Sequence, residues 1–111
     1  MKRHEMIKKH EEFSNIINNG TKLKGKYLLV FYQNKEYIKS NFGLAISKKV
    51  GIAVLRNKLK RRLRNIIDNN RLLFKNNQNY IIMIKKEAAN ATYKELEQDL
   101  INILRKDNHE K

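Results

Sequence analysis

The 111-residue chain has no cysteine, no tryptophan and no proline, and only four glycines: Gly20, Gly25, Gly43 and Gly51. Without cysteine there is no disulfide framework and no thiolate metal site, a usage that suits a reducing cytosol. Without proline or a glycine-rich stretch there is no linker. No repeat or low-complexity tract interrupts the chain, so it reads as a single domain over residues 1–111. No uncharged apolar run approaches the ~18 residues of a membrane-spanning helix. The basic start, Met1-Lys2-Arg3-His4-Glu5, is not followed by the apolar core of a secretory signal. The expectation is a soluble, cytoplasmic protein with no membrane association. Acid is scarce too: 11 Asp and Glu stand against 25 Lys and Arg, a formal net charge of +14. Self-repulsion on that scale costs a small fold stability, and the usual compensation is a polyanionic partner.

Catalytic constellations are also missing. His4, His10 and His109 have no metal-ligand spacing, the acids are scattered, and there is no glycine-rich phosphate loop and no Ser-His-Asp arrangement. The sequence therefore assigns no catalytic residue and no metal ligand, and points to binding.

What is present is hydrophobic patterning of two periods. Residues 5–19 read as a helix with Met6, Phe13, Ile16 and Ile17 on one face, stopped by Asn18-Asn19-Gly20. Residues 26–33 are aromatic and aliphatic and read as a strand, Asn34-Lys35-Glu36 as a turn, and residues 38–47 as a second strand pairing with the first in an antiparallel hairpin. A long helix is expected from Ala53 to Phe74, with Leu55, Leu59, Leu63, Ile66, Ile67, Leu73 and Phe74 on one stripe. Asn76-Asn77-Gln78-Asn79 ends it. Tyr80-Ile81-Ile82-Met83-Ile84 has the near-continuous apolar character of a strand buried on both faces. Thr92 and Glu95 form a capping box for a last helix over 93–106, which buries Leu96, Leu100, Ile103 and Leu104. The order α-β-β-α-β-α is that of an α+β two-layer sandwich.

The charge is concentrated on the middle helix, where five of the seven arginines fall between residues 56 and 71. Codon bias can raise lysine and asparagine everywhere; it does not gather arginine. At about 100° per residue from Leu59, Asn57, Lys60, Arg61, Arg64, Asp68 and Arg71 lie opposite the apolar stripe, while Arg56, Lys58 and Arg62 flank it. A merely solvated face would mix signs, yet Asp68 is the only acid between Val50 and Lys86. Arginine's planar fork suits phosphate and base edges, so nucleic acid is the favoured partner. A membrane surface or a peptide groove would need the apolar stripe, which so small a core cannot spare. Lys48 and Lys49 precede this helix, whose free amides and dipole would join them in attracting a phosphate. Phe13, Tyr27, Phe31 and Tyr32 each read first as core; as a candidate for stacking on an unpaired base, Tyr27 beside Lys26 is better than Phe31.

The run from Phe42 to Arg64, Phe-Gly-Leu-Ala-Ile-Ser-Lys-Lys-Val-Gly-Ile-Ala-Val-Leu-Arg-Asn-Lys-Leu-Lys-Arg-Arg-Leu-Arg, resembles the signature of the bacterial ribonuclease P protein subunit. The resemblance takes in the Phe13 helix, Gly20, the strand Tyr80–Ile84 and the closing helix with Thr92-Tyr93. It implies a fold like the second domain of ribosomal protein S5, with a left-handed β-α-β crossover that opposes the usual rule. It implies a protein that partners a catalytic RNA in removing the 5′ leader of precursor tRNA, with no further stable protein partner. The Mg²⁺ ions that activate water would be held mainly by that RNA. The matching positions would place Arg56, Asn57, Lys58, Lys60, Arg61 and Arg64 on the catalytic RNA. They would place Phe13, Ile17, Lys26, Tyr27, Lys48 and Lys49 in or beside a cleft for the leader. Four departures stand out. Lys58 replaces an arginine and loses its fork. Ile17 stands where many members have an aromatic, and Asn41 replaces a common basic residue. Lys85-Lys86-Glu87 occupies a place where an arginine and often a proline occur. The alternatives by class are a structural RNA-binding protein of ribosomal type and a nucleoid-type DNA binder.

Overall fold

A computed structural model describes residues 6–7, 10–34, 41–75 and 77–110, without the side chains of 108–110. The elements are α1 (His10–Asn19), β1 (Thr21–Lys24), β2 (Leu28–Asn34), β3 (Asn41–Ile46), α2 (Ala53–Asn69), β4 (Gln78–Ile84) and α3 (Tyr93–Glu110). Among the described residues three short 3₁₀ turns, Lys48–Val50, Arg71–Leu73 and Lys86–Asn90, lie between them. The expected order is present, with one short strand, β1, added between α1 and the first expected strand.

The four strands form one mixed sheet in the order β1-β2-β4-β3. The expected β2–β3 hairpin does not exist: β4 lies between them, antiparallel to β2 and parallel to β3. The reason is burial. Tyr80, Ile81, Ile82 and Ile84 are all buried, and a strand apolar on both faces belongs in the middle, where both ladders are satisfied. Parallel pairing of β3 with β4 needs a long crossover, and α2 is that crossover. β1 escaped the pattern because only Leu23 of its four residues is apolar. It pairs with β2 from Thr21↔Tyr32 to Lys24↔Leu29.

Period two divides the sheet's side chains between two layers. Leu28, Val30, Tyr32, Phe42, Tyr80, Ile82 and Ile84 pack against α2 and α3 in the main core, together with Leu59, Leu63, Ile66, Ile67, Leu96, Leu100, Ile103 and Leu104. Phe31 and Ile81 point the other way and meet Ile16 of α1 and Ile7. α3 begins as expected: Glu95 N–H donates to Thr92 Oγ1 (3.2 Å) and Thr92 N–H donates to Glu95 Oε1 (2.9 Å).

Helix ends depart from the sequence reading at two places. α1 starts at His10, not at residue 5, because Met6 and Ile7 are extended along β3. Met6 bridges Phe42 in parallel, and Ile7 N–H donates to the Phe42 carbonyl at 2.8 Å. α2 stops at Asn69, where Asn70 turns its Nδ2 back to the Ile66 carbonyl (2.8 Å) and to Glu97 Oε2 (3.0 Å). Phe74 still reaches the core, through the 3₁₀ turn, and packs edge-on against Phe42 and Tyr80, each at 5.0 Å between ring centres. Asn77, just before β4, takes the left-handed φ of 66° that asparagine tolerates. α3 runs on to Glu110, past the expected 106. Lys35 and Glu36 of the expected turn, His4, and the His109 side chain lie outside the described residues.

Candidate nucleic-acid interface

α2 carries two kinds of flank. Toward α3 it is neutral: Asn69 Nδ2 donates to the Tyr93 hydroxyl (3.2 Å), which donates to Asn65 Oδ1 (3.0 Å). Along the rest of its length outside the core, basic side chains predominate, with Asp68 the one acid of the helix. Asn57, Lys58 and Arg61 are exposed, and Arg56, Lys60, Arg62 and Arg64 half-buried. None of these six cations makes an ion pair among the described residues. Arg56, Lys60 and Arg64 follow one another at four-residue steps along one side of the helix. The Nε–H groups of Arg56 and Arg64 are shut off from water and have no partner. A buried donor left unmade costs about 1–3 kcal/mol, and like charges one turn apart repel as well. A helix that only needed solubility would carry neither burden. Below this row Arg71 lies 5.0 Å over the Phe42 ring and pairs with Asp68 at 3.1 Å.

The second surface is the sheet face that α1 covers in part. Beyond a polar row of Gln33, Asn79 and Asn41, the strand register lays two largely apolar rows across it, Lys22–Phe31–Ile81–Gly43 and Lys24–Leu29–Met83–Ala45. α1 sits on the first. Gly43 lets it approach: a Cβ there would stand 2.7 Å from Cε2 of Phe13, so any larger residue would lift the Phe13 ring off the sheet. The second row is left half open. Leu29, Ala45 and Met83, with Phe13 and Ile17 of α1, form an apolar strip that is only partly buried.

Lysines rim the strip. Lys22 lies 5.8 Å over the Phe31 ring, and Lys22 and Lys24 are exposed on β1. At the ends of the strands Leu28, Ile84 and Ile46 share one row, so the residues that follow or precede them gather at one end of the sheet. Lys26, Lys48, Lys49, Lys85 and Lys86 meet there. Ser47 holds the Lys48–Val50 turn by accepting Lys49 N–H at 3.1 Å. Lys85 Nζ donates to the Gly25 carbonyl (3.2 Å) and pairs with Glu87 (3.5 Å). The arrangement, bare apolar side chains flanked by ammonium groups, can take flat bases on the strip and phosphates on the rim. Among the described residues no three His, Asp or Glu come together in a way that could hold a metal ion, and no helix is long and apolar enough to cross a membrane.

The structure thus gathers Arg56, Asn57, Lys58, Lys60, Arg61 and Arg64 on one helix, and Phe13 with Ile17 on the other surface. Lys26, Tyr27, Lys48 and Lys49 stand at the lysine end. Among the described residues neither Tyr27 nor Phe13 packs on another aromatic ring. Tyr27 packs against the main core and donates its hydroxyl to Glu95 Oε2 at 3.0 Å. Leu29, Ala45, Met83, Lys22 and Lys24 were not singled out in the sequence; only the register reveals that they share a face.

A sequence model of the Ribonuclease P family matches residues 1–107 of the chain. The ribonuclease P protein component of Bacillus cereus is 33% identical over 108 residues, covering 96% of this chain and 93% of that one. The solved RNase P protein of Staphylococcus aureus superposes with a TM-score of 0.85 at 27% identity, covering 93% of this chain and 94% of its own. That of Thermotoga maritima shares the fold with a TM-score of 0.83 at 24% identity, covering 92% and 96%. The arginine-rich helix, the sheet order and these likenesses agree, and the chain belongs to the family of ribonuclease P protein components, the protein part of a tRNA-processing ribonuclease.

Proposed function

We propose that the chain binds two RNAs on two surfaces: the catalytic RNA of ribonuclease P along α2, and the 5′ leader of precursor tRNA over the strip beside α1. The observation that carries this is the row of unpartnered cations on α2, with the sealed Nε–H groups of Arg56 and Arg64. A phosphate backbone would pair with the solvent-facing parts of these cations and relieve the repulsion between them. Arg56, Asn57, Lys58, Lys60, Arg61 and Arg64 hold the folded RNA. Phe13, Ile17 and the open row of the sheet receive leader bases, and Lys26, Tyr27, Lys48 and Lys49 receive the strand at the lysine end.

The chain's own part is to bind and orient. The lysine rim lowers the repulsion between leader and catalytic RNA, so fewer bound cations are needed to bring them together. Mg²⁺, held mainly by the RNA, would supply the activated water and stabilise the leaving oxygen. Such a particle works in the cytoplasm and needs no other stable protein. The test is reconstitution: the protein alone leaves precursor tRNA intact at physiological salt, and restores cleavage when added to the cognate RNA at low Mg²⁺. Normal turnover by the isolated protein would overturn the division of labour. RNA binding without stimulation would leave a structural RNA-binding protein of ribosomal type. Alanine at Arg56, Lys60, Arg61 and Arg64 together lowers the slope of log affinity against log salt by about 3, since each lost phosphate contact removes about 0.7–0.9. An unchanged slope places the interface elsewhere.

A further inference from the structure

Where α3 begins, it meets α2 along an uncharged seam, and three side chains close a ring of hydrogen bonds there. Asn69 Nδ2 donates one hydrogen to Asn65 Oδ1 (2.9 Å) and the other to the Tyr93 hydroxyl (3.2 Å). That hydroxyl in turn donates to Asn65 Oδ1 (3.0 Å). The Tyr93 ring packs against the main core, which fixes where its hydroxyl stands.

The ring uses both hydrogens of the Asn69 amide and the single hydrogen of Tyr93. Asn65 Oδ1 accepts twice, which fills the two lone pairs of an amide oxygen. The Asn65 amide therefore cannot turn over without breaking two hydrogen bonds. Its Nδ2, with two hydrogens, has no partner among the described residues, and Asn65 is exposed. Asn65 follows Arg61 and Arg62 by one turn and Lys58 by two, so helical spacing sets it in line with the cations. Asn69, which keeps only its oxygen, lies a further turn on, next to Asp68. A cation at position 65 would grip any phosphate that came near. A neutral amide of fixed direction adds little attraction at a distance; it accepts only a partner that brings an acceptor to one point.

We infer that Asn65 is a donor-only contact for an acceptor on the RNA that lies along α2, and that Tyr93 and Asn69 are positioning residues that hold its hydrogens outward. This rests on the reading that α2 binds the catalytic RNA, and adds to it a neutral point of discrimination beyond the arginine row. The acceptor is a phosphate oxygen or an acceptor atom on a base edge.

The experiment measures equilibrium binding of the full chain to its cognate catalytic RNA and to an unrelated structured RNA of equal length, over a salt series. Asn65→Ala weakens the cognate RNA about five- to tenfold, the worth of one hydrogen bond, and leaves the unrelated RNA unchanged. The slope against log salt stays that of the wild type, because no charge contact to phosphate is lost. Tyr93→Phe keeps the ring in the core and weakens the cognate RNA by a smaller factor. In a double-mutant cycle that loss vanishes when residue 65 is already alanine, which a purely structural tyrosine would not show. Thermal melts confirm that the variants are folded at the temperature of binding. Interference mapping on the cognate RNA separates the two sources, with phosphorothioates in one arm and 7-deazapurines in the other. The position whose penalty disappears in Asn65→Ala identifies the acceptor. The inference fails if Asn65→Ala binds the cognate RNA as the wild type does while Arg61→Ala weakens it. It fails equally if the unrelated RNA loses as much as the cognate one, or if the Tyr93→Phe loss persists in Asn65→Ala. If Arg61→Ala also binds as the wild type does, the reading of α2 falls, and this inference with it.

Discussion

The two faces of the sheet are built from the same kinds of residue and end in opposite conditions. On the α2/α3 face Leu28, Val30 and Ile82 have 0% of their surface exposed. On the α1 face their strand neighbours Leu29 and Met83 remain half open, because α1 is ten residues long and covers one row of the two. Two helices of 17 and 18 residues close the first face. The comparison teaches that stability and binding are separated by the pleat itself: adjacent residues on one strand serve different ends.

The sharpest test of that separation is a pair of neighbours. Ile82→Ala leaves a cavity in the closed face and costs about 3 kcal/mol in chemical denaturation. Met83→Ala costs under about 1 kcal/mol in the same measurement, since its site is already wet. Equal losses would mean that the open row is ordinary core. Next in size, Phe13→Ala weakens leader-bearing precursor about five- to tenfold in equilibrium binding, the worth of one stacked aromatic, and mature tRNA less. If both fall equally, Phe13 only packs α1 onto Gly43. The smallest effect is on acid stability. The Glu95 carboxyl is lowered in the folded chain, first by the Thr92 amide and then by the Tyr27 hydroxyl. Its contribution is therefore fully present above the ordinary value of 4.5 and is lost as pH falls through the lower folded value. Melting temperatures of Glu95→Gln and wild type thus converge as the pH drops below about 4, where the unfolded carboxyl is protonated too.

What the sequence disclosed follows from which signals are local. The apolar stripe from Leu59 to Ile67, the Thr92–Glu95 box and the buried character of Tyr80–Ile84 are each set within a few residues, and all stand in the structure. The arginine band on α2 was legible for the same reason. The pairing of strands is a long-range property. β2 and β3 looked like a hairpin because they are close in the chain; β4 displaces that pairing because two apolar faces need two neighbours. Once the hairpin was assumed, Leu29, Met83 and Ala45 could not be seen to lie side by side. Met6 had helical spacing with Phe13, yet Met6 and Ile7 gain a strand edge instead, which no local pattern announces. Tyr27 was read correctly as lying beside Lys26, yet its partner Glu95 is 68 positions away, beyond any local pattern.

The middle strand of the sheet is the last of the four to be synthesised. Until residue 84 has left the ribosome, β2 and β3 have an empty lane between them, and neither half of the core can close. α2 is complete before that moment, so its cations emerge into a cell full of RNA while the chain is still unfolded. Topology thereby orders what can form: the residues of the basic helix are made before β4, and the strip beside α1 exists only after the final ladder has formed.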